Sequence, residues 1–101
     1  MEAMAERIYV GIDVSKENLD VAILPSKEKR RDVNSEAGIA KLVVRLKKLS
    51  PVLIVLEPTG GLEMSIAGAL AAEDLPVAIV NARQIRDFAR ATGRLAKTQM
   101  G

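Results

Sequence analysis

Two kinds of apolar run in one short chain constrain its fold more than any other feature. Near the start, Ile8, Val10, Ile12 and Val14 alternate with other residues. A period of two gives a strand with one face turned to a core, so Arg7 to Val14 is read as a strand. Ser15 to Glu17 is a short polar turn, and Leu19 to Leu24 alternates again around Asp20. The two segments predict a hairpin. Val52 to Leu56 is continuously apolar instead, the pattern of a strand covered on both faces. An antiparallel start followed by alternating helix and strand units predicts a mixed sheet covered by helices.

The segments between these runs fill in the order. Pro25-Ser26 marks a turn, and the charged stretch Glu28 to Val33 suits a third strand at an exposed edge. Ser35 can cap a helix running to about Leu49, with Ile39, Leu42, Val43, Leu46 and Leu49 at helical spacing. Arg45, Lys47 and Lys48 suit the negative end of its dipole, and Ser50-Pro51 stops it. A Gly60-Gly61 turn leads into a helix from about Leu62 to Asp74, broken by Leu75-Pro76. Val77 to Val80 reads as a short buried strand. Asn81, with Gln84 three residues on, can cap a last helix ending at Gly93. The predicted class is α/β, a single domain whose first three strands are antiparallel and whose later strands are parallel, with helices packed on the sheet.

Composition removes several chemistries. Among 101 residues there is no Cys and no His. Disulfides, thiolate or imidazole metal sites, and catalysis by a Cys or a Ser-His pair are therefore excluded. A metal site would have to use oxygen ligands, which suits magnesium or manganese. Aromatic residues are 2% of the chain, so the core must be built from Val, Ile, Leu and Ala. No apolar run is long enough to span a bilayer, and Met1 to Arg7 lacks an apolar signal core. The expected location is the cytoplasm.

Two carboxylates stand out by position. Asp13 ends the first strand in Gly11-Ile12-Asp13-Val14-Ser15-Lys16, and Glu57 ends the apolar run in Leu56-Glu57-Pro58-Thr59-Gly60-Gly61. A carboxylate at a strand end often caps a turn, and that reading stays open for each. The first and fourth strands are predicted as parallel neighbours, so both carboxylates emerge at one sheet edge, about 5 Å apart at their α-carbons. A divalent cation between them would relieve their repulsion. Glu63 is expected as a first-turn helix residue favoured by the dipole, and Asp20 as the partner of a basic side chain.

The positive charge is concentrated late. From Arg83 to Lys97 there are five basic residues and one acidic one, a net of +4, while the rest of the chain is −2. Arg83, Arg86, Arg90 and Arg94 form one stripe at helical spacing, with Lys97 beyond, and Ile85, Phe88 and Ala89 lie on another face. Such a stripe is either a solvated face or a set of phosphate contacts. The Gly60-Gly61 pair is read as a turn rather than a phosphate loop.

These motifs occur in a particular order: Gly-Ile-Asp-Val-Ser-Lys, Leu19-Asp20-Val21-Ala22, Glu57-Pro58-Thr59-Gly60-Gly61, Val80-Asn81, Phe88-Ala89-Arg90-Ala91 and Ala96-Lys97-Thr98. The series, from Tyr9 to Thr98, resembles the N-terminal domain of the DEDD transposases of bacterial insertion sequences. The resemblance implies a RuvC-like, ribonuclease H-like fold and a metal-dependent strand-cleavage domain for DNA transposition and site-specific recombination. It implies Asp13 and Glu57 as catalytic, metal-holding residues, with Mg2+ or Mn2+ as cofactor. DNA, and a guide RNA, are the implied partners. Two further Asp residues are expected directly after Ala-Lys-Thr, but Thr98 is followed by Gln99, Met100 and Gly101. The expectation is of a domain truncated before its last catalytic helix, without the family's serine-bearing domain, inactive alone and binding metal weakly.

Two other functions compete. A non-catalytic nucleic-acid-binding or assembly module would use the basic segment alone, and self-association into a homo-oligomer is a further expectation. Sugar kinases and actin-like ATPases also begin with a strand, a Gly-x-Asp and a hairpin. They follow the Asp with a small phosphate-accepting loop, where this chain has Val14-Ser15-Lys16.

Overall fold

The computed structural model describes residues 7–80. The elements run β1 (Tyr9–Val14), β2 (Asn18–Leu24), β3 (Glu28–Val33), α1 (Glu36–Leu49), β4 (Leu53–Leu56), α2 (Met64–Ala72) and β5 (Val77–Ile79). They form a five-stranded sheet in the order β3-β2-β1-β4-β5. β1 pairs antiparallel with β2, and β2 with β3. β1 pairs parallel with β4, and β4 with β5. The mixed sheet predicted from the order of elements is the one observed.

Alternation decides what each strand buries. Val10, Ile12 and Val14 of β1, Leu19, Val21 and Ile23 of β2, and Ile54 and Leu56 of β4 share one core with Leu42, Val43 and Leu46 of α1 and Ile66, Ala67 and Leu70 of α2. Fully burying each large aliphatic side chain favours folding by about 1.5–3 kcal/mol. Both helices therefore lie on the same face of the sheet. The opposite face carries Tyr9, Gly11 and Asp13 of β1, Asp20 and Ala22 of β2, and Leu53 and Val55 of β4, all exposed or half-buried.

Two expectations about burial need correction among the described residues. β4 is covered on one face only, since Leu53 and Val55 are half-buried while Ile54 and Leu56 are fully buried. β5 is likewise half-buried to exposed, because it has a strand partner on one side only and offers Val77 and Ala78 as its more covered residues. A continuous apolar run shows that a strand can be covered twice; α1 and α2 cover it once.

Local signals set the helix ends. Ser35 is the N-cap of α1, and its side chain accepts from the Gly38 N–H. At the other end Ser50 adopts a left-handed conformation, φ 51°, and its N–H donates to the Leu46 carbonyl. Ion pairs tie elements together: Arg45 of α1 reaches Asp32 of β3 at 3.1 Å, and Lys47 of α1 reaches Glu73 after α2 at 2.7 Å. α2 is shorter than expected, because the turn through Gly60 and Gly61 persists to Glu63. No helix of the described residues is long and apolar enough to cross a membrane.

Candidate active site

Pairing of β1 with β4 brings the two singled-out carboxylates together. Ile12 stands opposite Leu56 in the parallel register, so Asp13 and Glu57 follow as the next neighbours, about one strand spacing apart. Ile12 and Leu56 both point into the helix-covered core. One residue on, Asp13 turns to the opposite face, and Asp13 and Glu57 line the same surface depression there. Asp13 is exposed and Glu57 half-buried. Because the strands are parallel, both groups sit at their carboxyl ends.

A third acid extends the row. Asp20 stands opposite Asp13 in the β1–β2 register, so Asp20, Asp13 and Glu57 lie side by side across three adjacent strands. Asp20 is neutralised by Arg31 of β3, whose guanidinium makes contacts of 2.7 and 3.3 Å to both carboxylate oxygens. This raises the Arg31 pKa, first through the hydrogen bond and then through the charge of Asp20. Asp20 is thus engaged in the paired role expected of it. Among the described residues no group of three or more acids is arranged to hold a metal ion. The candidate set is Asp13 and Glu57.

The two loops beside the row are closed on themselves. After β1, the Ser15 N–H donates to the Asn18 carbonyl at 2.9 Å, and the Ser15 hydroxyl accepts from the Asn18 N–H at 3.1 Å. The Asn34 side chain donates to the Ser15 carbonyl at 2.8 Å. This turn is held by its own bonds and by Asn34 from beyond β3.

After β4, one buried side chain organises the loop. Glu63 is 7% exposed. Its Oε1 accepts from the Thr59 N–H at 2.8 Å, the Thr59 hydroxyl at 3.1 Å and the Gly61 N–H at 3.1 Å. These bonds hold the Glu63 carboxyl below the usual carboxylate range, with the Thr59 N–H the largest cause. The expected dipole role is therefore incomplete. Glu63 is the N-cap residue of α2, makes no side-chain bond to the helix's first turn, and reaches back to the loop. Gly60 and Gly61 take φ of 70° and 102°, which lets the loop curl around that oxygen. The Gly61 amide is thereby occupied, in keeping with the reading of the pair as a turn. A Thr followed four residues later by a Glu across a Gly-Gly turn was the available signal for this clamp.

Arg83, Arg86, Arg90, Arg94 and Lys97 lie outside the described residues.

A mixed sheet in this order, with helices on the core face, defines the class: a RuvC-like, ribonuclease H-like α/β fold. The structure of T. thermophilus RuvC in complex with Holliday junction substrate is similar, with a TM-score of 0.63 over 81% of this chain and 69% of that one, at 13% identity. No curated protein matches the sequence. The family model described as Transposase, for DEDD transposases of the IS110 type, matches residues 10–99. The chain belongs to that transposase family.

Proposed function

We propose that this domain contributes Asp13 and Glu57 to the metal-dependent DNA strand-cleavage site of a DEDD transposase. The observation that carries the reading is their placement on one face at the carboxyl ends of two adjacent parallel strands, Asp13 in β1 and Glu57 one residue past β4. The donor set is all oxygen, which suits Mg2+ or Mn2+. Asp13 and Glu57 are the residues that would hold the ion, and when bound it would supply charge neutralisation for phosphodiester chemistry. Asp20 is paired with Arg31 instead. Two carboxylates leave a divalent ion most of its water, so affinity in the millimolar range is expected.

DNA is the proposed partner, in line with the junction DNA bound by the RuvC structure, and an element-encoded RNA is a second. The +4 segment from Arg83 to Lys97 would supply phosphate contacts. The same segment favours a second reading, a module that binds nucleic acid without cutting it. A Mn2+ titration followed by NMR line broadening, with a cleavage assay on branched and linear DNA, separates the two. The cleavage-site reading expects broadening centred on Asp13 and Glu57 and lost in Asp13→Asn. Broadening that ignores Asp13→Asn would overturn it and leave the binding module.

A further inference from the structure

We propose that Glu63 is a positioning residue: by gathering the Thr59 N–H, the Thr59 hydroxyl and the Gly61 N–H onto one oxygen, it sets the direction in which Glu57 leaves the end of β4. This rests on the reading of Glu57 as a functional carboxylate. The place where the sheet stops gives such a residue its leverage. The β1–β4 register ends at Ile12 and Leu56, so Glu57 lies one residue past the ladder. Its upstream anchor is Leu56, fully buried, whose carbonyl accepts from the Val80 N–H at 2.9 Å. Downstream comes Pro58, which has no N–H to hold. The next residue, Thr59, is held through its N–H, which donates to Glu63 at 2.8 Å.

Glu63 is itself held rigidly. It begins α2, whose Ile66, Ala67 and Leu70 are buried in the core. The path of force is short: core helix, Glu63 carboxylate, loop amides, Glu57. A buried carboxylate needs donors, and the loop supplies three of them. Loop and acid therefore stabilise each other. A neutral amide at position 63 would keep the shape but accept more weakly and bring an N–H2 toward donors.

The test uses the isotope-labelled chain and the Glu63→Gln variant. Three quantities are read: hydrogen exchange at the Thr59 and Gly61 amides, the carboxyl carbon shift of Glu57, and Mn2+ affinity. Val43→Ala, in the α1 core contact and away from the loop, serves as a control for general destabilisation. The expected result in Glu63→Gln is exchange at Thr59 and Gly61 faster by about tenfold, the scale of a lost charge-assisted bond. The Glu57 signal should move, and Mn2+ affinity should fall several-fold, with neither change in Val43→Ala. Unchanged exchange and an unmoved Glu57 signal would overturn the proposal, as would Mn2+ affinity matching the control. If the parent takes up no Mn2+, the metal reading fails alone, and the exchange and Glu57 signals still decide the role of Glu63. Should Glu63→Gln not fold, Thr59→Val removes only the 3.1 Å hydroxyl contact. A smaller displacement of Glu57 in that variant supports the clamp, and none refutes it.

Discussion

Alanine at Gly38 and at Gly68 is the same chemical change in two helices, and the structure predicts opposite signs. Within a helix, alanine is favoured over glycine by about 0.8–1.0 kcal/mol. At Gly68 of α2 an added Cβ meets nothing within 4 Å, so most of that gain should appear, about 0.5–1 kcal/mol. At Gly38, in the first turn of α1, a Cβ would overlap the Val33 carbonyl and come within 3.3 Å of the Ser35 hydroxyl. Neither neighbour can swing aside. The Val33 carbonyl accepts from the Ser35 N–H at 2.9 Å, and the Ser35 hydroxyl accepts from the Gly38 N–H at 3.1 Å. Overpacking of this kind costs about 1–3 kcal/mol, and displacing the N-cap adds about 1 kcal/mol. The net expectation for Gly38→Ala is a loss of about 1–3 kcal/mol once the propensity gain is subtracted. Urea unfolding followed by far-ultraviolet circular dichroism reads both variants, with an unchanged slope as the check that the end states are the same. In a domain this size each kcal/mol moves the melting temperature by about 4–8 °C. A Gly38→Ala protein as stable as the parent, or a Gly68→Ala protein less stable by more than about 0.5 kcal/mol, would refute the geometric argument.

Further outcomes follow from other contacts. The Glu63 carboxyl is held below its ordinary value in the folded state by the Thr59 N–H first, then by its own backbone N–H, with smaller help from the Thr59 hydroxyl and the Gly61 N–H. Its stabilising effect is therefore complete above the unfolded value, about 4.3, and is lost as pH falls through the lower folded value. Glu63→Gln should flatten the acid limb of the stability profile, and an acid limb identical to the parent's would contradict this. Asp32, whose side chain is 9% exposed, bonds Arg45 at 3.1 Å across β3 and α1. Asp32→Asn should cost about 1–2 kcal/mol in chemical denaturation, whereas a neutral outcome would mean the pair is replaced by water. Replacing Arg86 and Arg90 with Ala should weaken nucleic-acid binding equally across sequences and reduce the salt slope by about 2. Unchanged affinity in filter binding would identify a solvated face.

Local pattern carried much of this fold. Alternation in Val10, Ile12 and Val14 sends Asp13 to the face opposite the core, because successive side chains on a strand must point to opposite sides. The Ser35 cap and the apolar stripe from Leu42 to Leu46 give α1 its start and its buried face. Leu56, the last residue of an apolar run, puts Glu57 at a strand end. The resemblance of the ordered motifs to DEDD transposases agrees with the family match over residues 10–99.

What remained hidden depends on residues distant in the sequence. Glu63 looked like a dipole-favoured helix residue because its spacing says nothing about which way its side chain turns; the left-handed Gly60 and Gly61 fold the loop back onto it. The half-burial of Leu53 and Val55 was equally illegible, since apolar character records tolerance for burial and not the presence of a covering layer. Gly38 gave no sign of its close approach to Val33, which arises only when the end of β3 and the start of α1 meet.

Local sequence, then, set the strand and helix segments and sent Asp13 to the face opposite the core, because period and capping act over a few neighbouring residues. Tertiary structure decided the register that sets Asp13 beside Glu57 and the pairing that gives Asp20 to Arg31 of β3. Strand partners are chosen by the burial of whole faces summed over the sheet, and no local stretch of residues contains that sum.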